Sequence, residues 1–170
     1  MKEVAGMDKY VVFRVEREQY AVSIAYVVSI EKMTAPTAVP HMPDCMAGVA
    51  RIRGELVPVL DMRKLLYGRT IEETDQTRLV VAAVDGLSVA FIVDEAKEIV
   101  DIEPEAIKPL QLVSAERTPY VVGIASMPER LLTVLDPRVL FAHLDEADAI
   151  REQVAAAQAA AQAIQEGEAV

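Results

Sequence analysis

The sequence predicts a mostly β protein of two small barrels packed together, with short helices and a C-terminal helix. Three observations carry this: β-rich runs broken at hairpin spacing, a correspondence between the two halves of the chain, and a late switch to helix-forming residues. With 170 residues and 52% apolar content, the chain can bury a real core and has the length of one domain or two very small ones.

Residues 10–30, YVVFRVEREQYAVSIAYVVSI, hold a β-rich run, a polar break at Glu16 to Gln19, and a second run from Tyr20. This reads as a hairpin. Asp61 to Tyr67 suits a short helical turn, with Asp61 near its start and Gly68 as its stop. Arg78 to Val100 repeats the plan of the opening hairpin, with the break at Asp85-Gly86, a dipeptide that readily takes the positive φ of a tight turn. A second short helix is expected from Asp136-Pro137 through Leu140, Phe141 and Leu144, since proline is tolerated in a first helical turn. From about Asp145 the chain turns to Ala, Gln and Glu, strong helix formers. Ala147, Ile150, Val154, Ala157, Ala161 and Ile164 recur at spacings of three and four, a narrow seam for docking on the body or for meeting a partner helix.

The two halves correspond. At a constant offset Val11 and Val12 fall on Val80 and Val81, Val15 on Val84, Ala21 on Ala90, Ile30 on Ile99 and Pro40 on Pro109. After a short insertion, GVARIRGELVPVLDMR from Gly48 matches GIASMPERLLTVLDPR from Gly123, with Leu56/Leu131, Val59/Val134, Leu60/Leu135, Asp61/Asp136 and Arg63/Arg138 coinciding. Valine and leucine recur in any β protein, but the Gly, Pro, Asp and Arg matches point to an internal repeat. Each half holds about five short strands, too few for an open sandwich, whereas a closed barrel removes exposed edges. The expected layout is a flexible N-terminus at 1–9, a folded region at 10–144 with repeats at about 10–70 and 78–140, and an Ala/Gln-rich helical tail at 145–170.

Composition excludes several functions. A formal charge of −10 repels phosphate backbones, and aromatic residues at 5% are too few for base-stacking platforms, so proteins are the expected partners and nucleic acid is not. No run approaches the roughly 18 apolar residues of a membrane span, and Met1 to Lys9 lacks the apolar core of a signal peptide, so a cytoplasmic location without membrane insertion is expected. His41 and His143 lie far apart without ligands at metal spacing, so neither metal nor cofactor is expected. Cys45 reads as a small buried hydrophobe. Asp61, Asp136, His41 and Ser114 form no nucleophile, base and orienter pattern, so the chain reads as no enzyme.

The run Gly48 to Gly68 resembles the signature of CheW domains, in which Gly-x-x-x-x-Arg-Gly leads into a strand with Pro-Val and ends in Asp-Leu-Arg. Gly48, Arg53, Gly54, Pro58, Val59, Asp61 and Arg63 match it. The opening hairpin, the Val39-Pro40 turn and the strand ending at Asp94 are similar too, so the resemblance covers about residues 10–142. It implies two intertwined five-stranded SH3-like barrels and a scaffold that couples the tip of a chemoreceptor to the regulatory domain of a CheA-type histidine kinase, itself CheW-like. It also implies recruitment to membrane-associated arrays and a monomer when isolated. No fused receiver domain is expected, since too few residues follow Phe141 in this sequence to build one. The alternative is a peptide-binding barrel outside chemosensory signalling.

The resemblance places the receptor-facing groove at Val27, Arg53 and Ile99, where aliphatic side chains would seat a receptor helix and Arg53 would meet carboxylates or carbonyls. It places the kinase-facing surface around Ile30 and Met33. Gly48 and Gly54 are expected to serve turn conformations and Pro58 an edge or bulge. Three departures mark a divergent adaptor, such as one in a surface-sensing or pilus-linked array. Ser29 stands where relatives carry an acid, leaving Glu31 as a longer and weaker substitute partner for Arg53. Arg51-Ile52-Arg53-Gly54 replaces Asn-Leu-Arg-Gly, and Arg78 adds further positive charge to the groove.

Overall fold

The computed structural model describes residues 8–109 and 119–143. The first repeat supplies β1 (Asp8–Val15), β2 (Glu18–Ser23), β3 (Val27–Lys32), β4 (Met46–Ile52), β5 (Glu55–Asp61) and the helix α1 (Met62–Tyr67). The second supplies β6 (Arg78–Val84), β7 (Leu87–Val93), β8 (Glu95–Ile102), β9 (Ile107–Lys108), β10 (Val121–Met127), β11 (Arg130–Leu135) and the helix α2 (Pro137–His143). Two of the hairpins turn on residue pairs with positive φ, Arg53-Gly54 at 53° and 82° and Asp85-Gly86 at 50° and 79°, the backbone that matches the twist of paired strands. Asp61 caps α1 by accepting the Lys64 N–H at 3.1 Å, and Gly68 ends it in the left-handed region at φ 74°.

The repeats do not fold side by side; they exchange hairpins. One sheet has six strands in the order β8-β1-β2-β11-β10-β9, the other five in the order β3-β6-β7-β5-β4, so each contains strands of both repeats. The exchange is reciprocal in register. In parallel pairing, Val59 and Leu60 of β5 face Ala90 and Phe91 of β7, while their counterparts Val134 and Leu135 of β11 face Ala21 and Val22 of β2. Each sheet curls back on itself. Thr37 and Val49 exchange backbone hydrogen bonds at 2.7 and 2.9 Å, joining the chain beyond β3 to β4 at the far edge of the five-stranded sheet. The six-stranded sheet returns through a 3-10 turn at Pro104–Ala106 between β8 and β9. The sixth strand goes beyond the expected five because β9 makes two register pairs with β10, where its counterpart makes the single Thr37–Val49 bridge.

Two barrel cores and one shared core result. Ala50, Val57, Leu79 and Ile92 fill one barrel; Val12, Ala125, Leu132 and Val134 fill the other. Between them lies the largest cluster, with Phe13, Tyr20, Met62, Phe91, Leu140 and Phe141 drawn from both sheets and both helices. Burial of that many large apolar side chains between the lobes makes them one cooperative body.

Glycine is required where backbones cross. A Cβ on Gly48 would lie 2.0 Å from the Thr37 carbonyl oxygen, and one on Gly123 would lie 2.4 Å from that of Lys108. Both glycines follow a register shift in their strands, so Gly48 serves a close approach within β4 and not the turn expected of it. Pro58 lies buried in β5 opposite Val49, at a point where this interior strand is paired on one side alone. Its missing N–H is tolerated because the ladder to β7 begins one residue later, at Val59. β1 begins at Asp8, paired with Ile102, and Lys9 bonds Asp101 at 3.0 Å, so the strand takes in two residues expected in the flexible N-terminus. The helical tail expected at 145–170 lies outside the described residues.

Candidate partner-binding surfaces

β3 alternates between half-buried Val27, Ser29 and Glu31 and exposed Val28, Ile30 and Lys32, the period-two pattern of a strand with one face on the body. Val27 packs against the shared core. At the far edge of the same barrel, the Arg53 Nε donates to Glu31 Oε2 at 2.7 Å, so an ion pair spans the point where the sheet closes. The expectation that Glu31 would be a weak substitute for an acid at position 29 is therefore overturned. Closure of the barrel brings the β4–β5 turn to β3, and the longer reach costs no distance. The neighbouring Ser29 hydroxyl, then the Arg53 guanidinium, hold the Glu31 carboxyl below its usual range. Of the two, the Arg53 bond is the one with ordinary hydrogen-bond geometry, since Ser29 Oγ makes none.

The second lobe closes with a similar pair. Arg130 at the start of β11 donates to Glu98 of β8 at 2.8 Å, and Glu98 is the repeat counterpart of Ser29. The acid missing from the first repeat is thus present in the second.

Arg78 begins β6 opposite Lys32. Its Nη1 donates to the Asp75 and Thr77 carbonyls, each at 2.8 Å. One nitrogen of its guanidinium is thus held by the preceding loop, while the side chain keeps its charge. Ile99 stands on β8 in the other sheet, beside Val11, with 55% of its surface exposed. The structure therefore joins Ser29 and Arg53 through Glu31, with Val27 on the same strand face, and sets Ile99 apart on the six-stranded sheet. Of the kinase-facing pair, Ile30 is 41% exposed, while Met33 is half-buried against the first barrel core.

Sequence reasoning missed two features. Val28, Val122 and Leu131 are exposed aliphatics. For Val28 and Val122 the concealed signal is a register shift, between Val27 and Ser29 and between Val121 and Gly123, that makes each the extra residue of a bulge. The second is a charged knot between the lobes. The Arg63 Nη2 donates to Asp94 Oδ1 at 2.6 Å, the Glu16 N–H donates to Asp94 Oδ2 at 2.7 Å, and the Asp94 N–H donates to the Arg14 carbonyl at 2.9 Å. Arg63 of the signature thus ties α1 to the β1–β2 turn and to the end of β7.

The candidate chemical groups are occupied structurally. Asp61 and Asp136 cap the two helices. Cys45 is buried, and burial pushes its thiol above the ordinary range, which disfavours the nucleophilic thiolate. Among the described residues no group of three His, Cys, Asp or Glu is placed to hold a metal, and no helix is long and apolar enough to cross a membrane.

Known proteins resemble this chain along most of its length. The chemotaxis protein CheW of Bacillus subtilis (strain 168) is 32% identical over 152 residues, covering 89% of this chain and 97% of that one. A probable chemotaxis protein CheW of Rhizobium etli is 27% identical over 141 residues, covering 82% and 91%. The crystal structure of the scaffolding protein TtCheW from Thermoanaerobacter tengcongensis superposes with a TM-score of 0.71 at 27% identity, over 79% of this chain and 87% of that one. The CheW-like domain model matches residues 9–145, and with the exchanged barrels described above it establishes that the chain belongs to the CheW-like domain family.

Proposed function

We propose that the chain is a non-catalytic scaffold of chemotaxis signalling that holds a chemoreceptor tip and a CheA-type histidine kinase together. The observation that supports this best is the pair of aliphatic residues, Ile30 and Ile99, presented on strands of the two separate sheets, while the buried carboxylates Asp61 and Asp94 are consumed in a helix cap and an ion pair. A body with two outward apolar positions and its buried carboxylates committed to its own structure is suited to bridging proteins.

In this reading Val27, Ser29, Arg53 and Ile99 meet the receptor, and Ile30, with Met33 behind it, meets the regulatory domain of the kinase. Arg78, with its Nη1 held by the Asp75 and Thr77 carbonyls, meets the receptor through its remaining donors. The Arg53 guanidinium keeps donors free of Glu31 and is 70% exposed, so it can bond receptor carboxylates or carbonyls. Displacement of the acid from 29 to 31 supports an altered receptor preference. The protein works in the cytoplasm and reaches receptor arrays through its partners. Titration of wild type, Arg53→Ala and Ile30→Ala against a receptor tip and a kinase regulatory domain, each alone, tests the assignment. Arg53→Ala is expected to weaken mainly receptor binding and Ile30→Ala mainly kinase binding; reversal or loss of that separation would refute it.

A further inference from the structure

The matched aspartates of the two repeats meet different surroundings. Asp61 is buried, caps α1, and takes the Ile71 N–H on its second oxygen at 3.0 Å. Its counterpart Asp136 accepts the Arg138 N–H at 2.9 Å in the same capping role, but it lines an open pocket of about 240 Å3. That is the share of about eight waters.

The pocket draws its polar groups from both repeats. Tyr10 of β1 and Ser23 at the end of β2 stand opposite each other in register, Tyr26 ends the 3-10 turn that follows, and Asp136 follows β11. Buried Val134 and Val122, 48% exposed, supply aliphatic lining. Packing of Tyr10 on the second barrel core and of Tyr26 on the shared core holds both rings in place. Burial, then Asp8 and Tyr26, push the Tyr10 phenol above its ordinary range, so it is neutral near pH 7 and can accept as well as donate.

Charge at this corner favours a cation, and the chain has already seated one there. The Arg138 guanidinium bonds the two Asp136 oxygens at 3.3 and 3.1 Å and lies 5.2 Å from the centre of the Tyr26 ring. Asp85 acts on the same guanidinium, and Asp8 acts on Tyr10. Among the described residues, these contacts set three carboxylates against one guanidinium. Lys9, beside Tyr10 in sequence, is bonded to Asp101 at 3.0 Å, and Lys108 stands opposite Ile124 rather than Val122. Surplus negative charge, neutral hydroxyls and an aliphatic wall together match an ammonium group on an alkyl stem.

We propose that this pocket binds an alkylammonium group, its stem against Val122 and Val134 and its charge at the Tyr10 and Tyr26 hydroxyls, carried by a free amine or by a lysine side chain.

Titration of the full chain with n-pentylammonium, followed by amide NMR, should shift the Ser23, Tyr26, Val122 and Asp136 signals together and saturably. Pentan-1-ol and pentanoate, which keep the stem and change the charge, should bind at least about tenfold more weakly. Tyr10→Phe, which keeps the ring, should weaken amine binding about tenfold, as loss of a hydrogen bond to a charged group does. Asp8→Asn, at an exposed position, should weaken it only about twofold. Arg138→Gln should tighten it, because a like charge leaves while the backbone cap to Asp136 stays. Nα-acetyl-lysine N-methylamide separates the two sources. Affinity equal to that of pentylammonium assigns the site to a lysine side chain, and affinity at least about tenfold weaker assigns it to a free amine; either supports the proposal. Absence of saturable shifts, equal binding of pentan-1-ol or pentanoate, indifference to Tyr10→Phe, or weakening by Arg138→Gln would overturn it.

Discussion

Ile30 and Ile99 occupy the same position in the two repeats: Ile30 pairs with Val80 across β3 and β6, and Ile99 pairs with Val11 across β8 and β1. Both residues of each partnership are repeat counterparts, and both isoleucines stay exposed while their partners are buried. An internal duplication has thus placed one kind of apolar knob on each lobe. The proposed division of labour gives one knob to the kinase and the other to the receptor.

Ile30→Ala and Ile99→Ala should therefore act on different complexes. Each is expected to change unfolding free energy by no more than about 0.5 to 1 kcal/mol, as partly exposed positions do, and to weaken its own complex by about five- to thirtyfold, the range of a contributing interface residue. Calorimetric titration against each partner, beside urea unfolding, checks both halves. Equal weakening of both complexes by either variant would contradict the division.

The Glu31 carboxyl is held below its usual range, so whatever the pair with Arg53 contributes is present above the unfolded-state value of ~4.3 and is lost as pH falls through the depressed folded value. An NMR titration of the carboxyl should show its midpoint rising in Arg53→Ala and in Ser29→Ala. An unchanged midpoint in both would mean that neither group favours the charged form. Because the pair is exposed, its effect should be felt more in the position of Arg53 than in global stability.

Asp94→Ala should be among the most damaging single changes. It strips the Arg63 guanidinium and the Glu16 N–H of a buried partner, and is expected to cost about 3 kcal/mol. Arg63→Met alone should also destabilise, and the double variant should cost less than the two singles summed, because they belong to one network. Urea midpoints of the four proteins test this; strict additivity would contradict it.

Gly48→Ala and Gly123→Ala should each destabilise by about 2 kcal/mol or more, since backbone must move to admit a methyl group. Gly54→Ala, at φ 82° with nothing within 4 Å of the added carbon, should cost only about 1 kcal/mol of left-handed strain. Thermal melting of the three variants gives the order. A Gly54 variant worse than the Gly48 one would contradict the crossing argument.

Much of the fold was legible because its signals are local or repeated. Asp85-Gly86, the Asp61 cap with Gly68, and the Asp/Arg and Gly matches between halves report turn, helix and duplication directly. The hairpin exchange was not legible, since the register of Val59 on Ala90 depends on which copy a strand chooses and both copies present the same apolar faces. Pro58 was legible only in part: proline suggests an edge, and β5 is an interior strand that gains its second neighbour only at the next residue. At the candidate surfaces, Arg53 could be named from the signature, and Ser29 from its departure from the acid that relatives carry. That Glu31 reaches Arg53 and that Arg78 turns to the Asp75–Thr77 loop required knowing where the barrel closes.

The most direct test of scaffolding is co-sedimentation of the kinase regulatory domain with receptor-bearing vesicles. Addition of this protein should carry the domain into the pellet in a saturable, roughly stoichiometric manner, and the Ile30→Ala and Arg53→Ala proteins should each fail to do so. A domain that pellets equally well without the protein, or remains in the supernatant when wild type is added in excess, would contradict a bridging role.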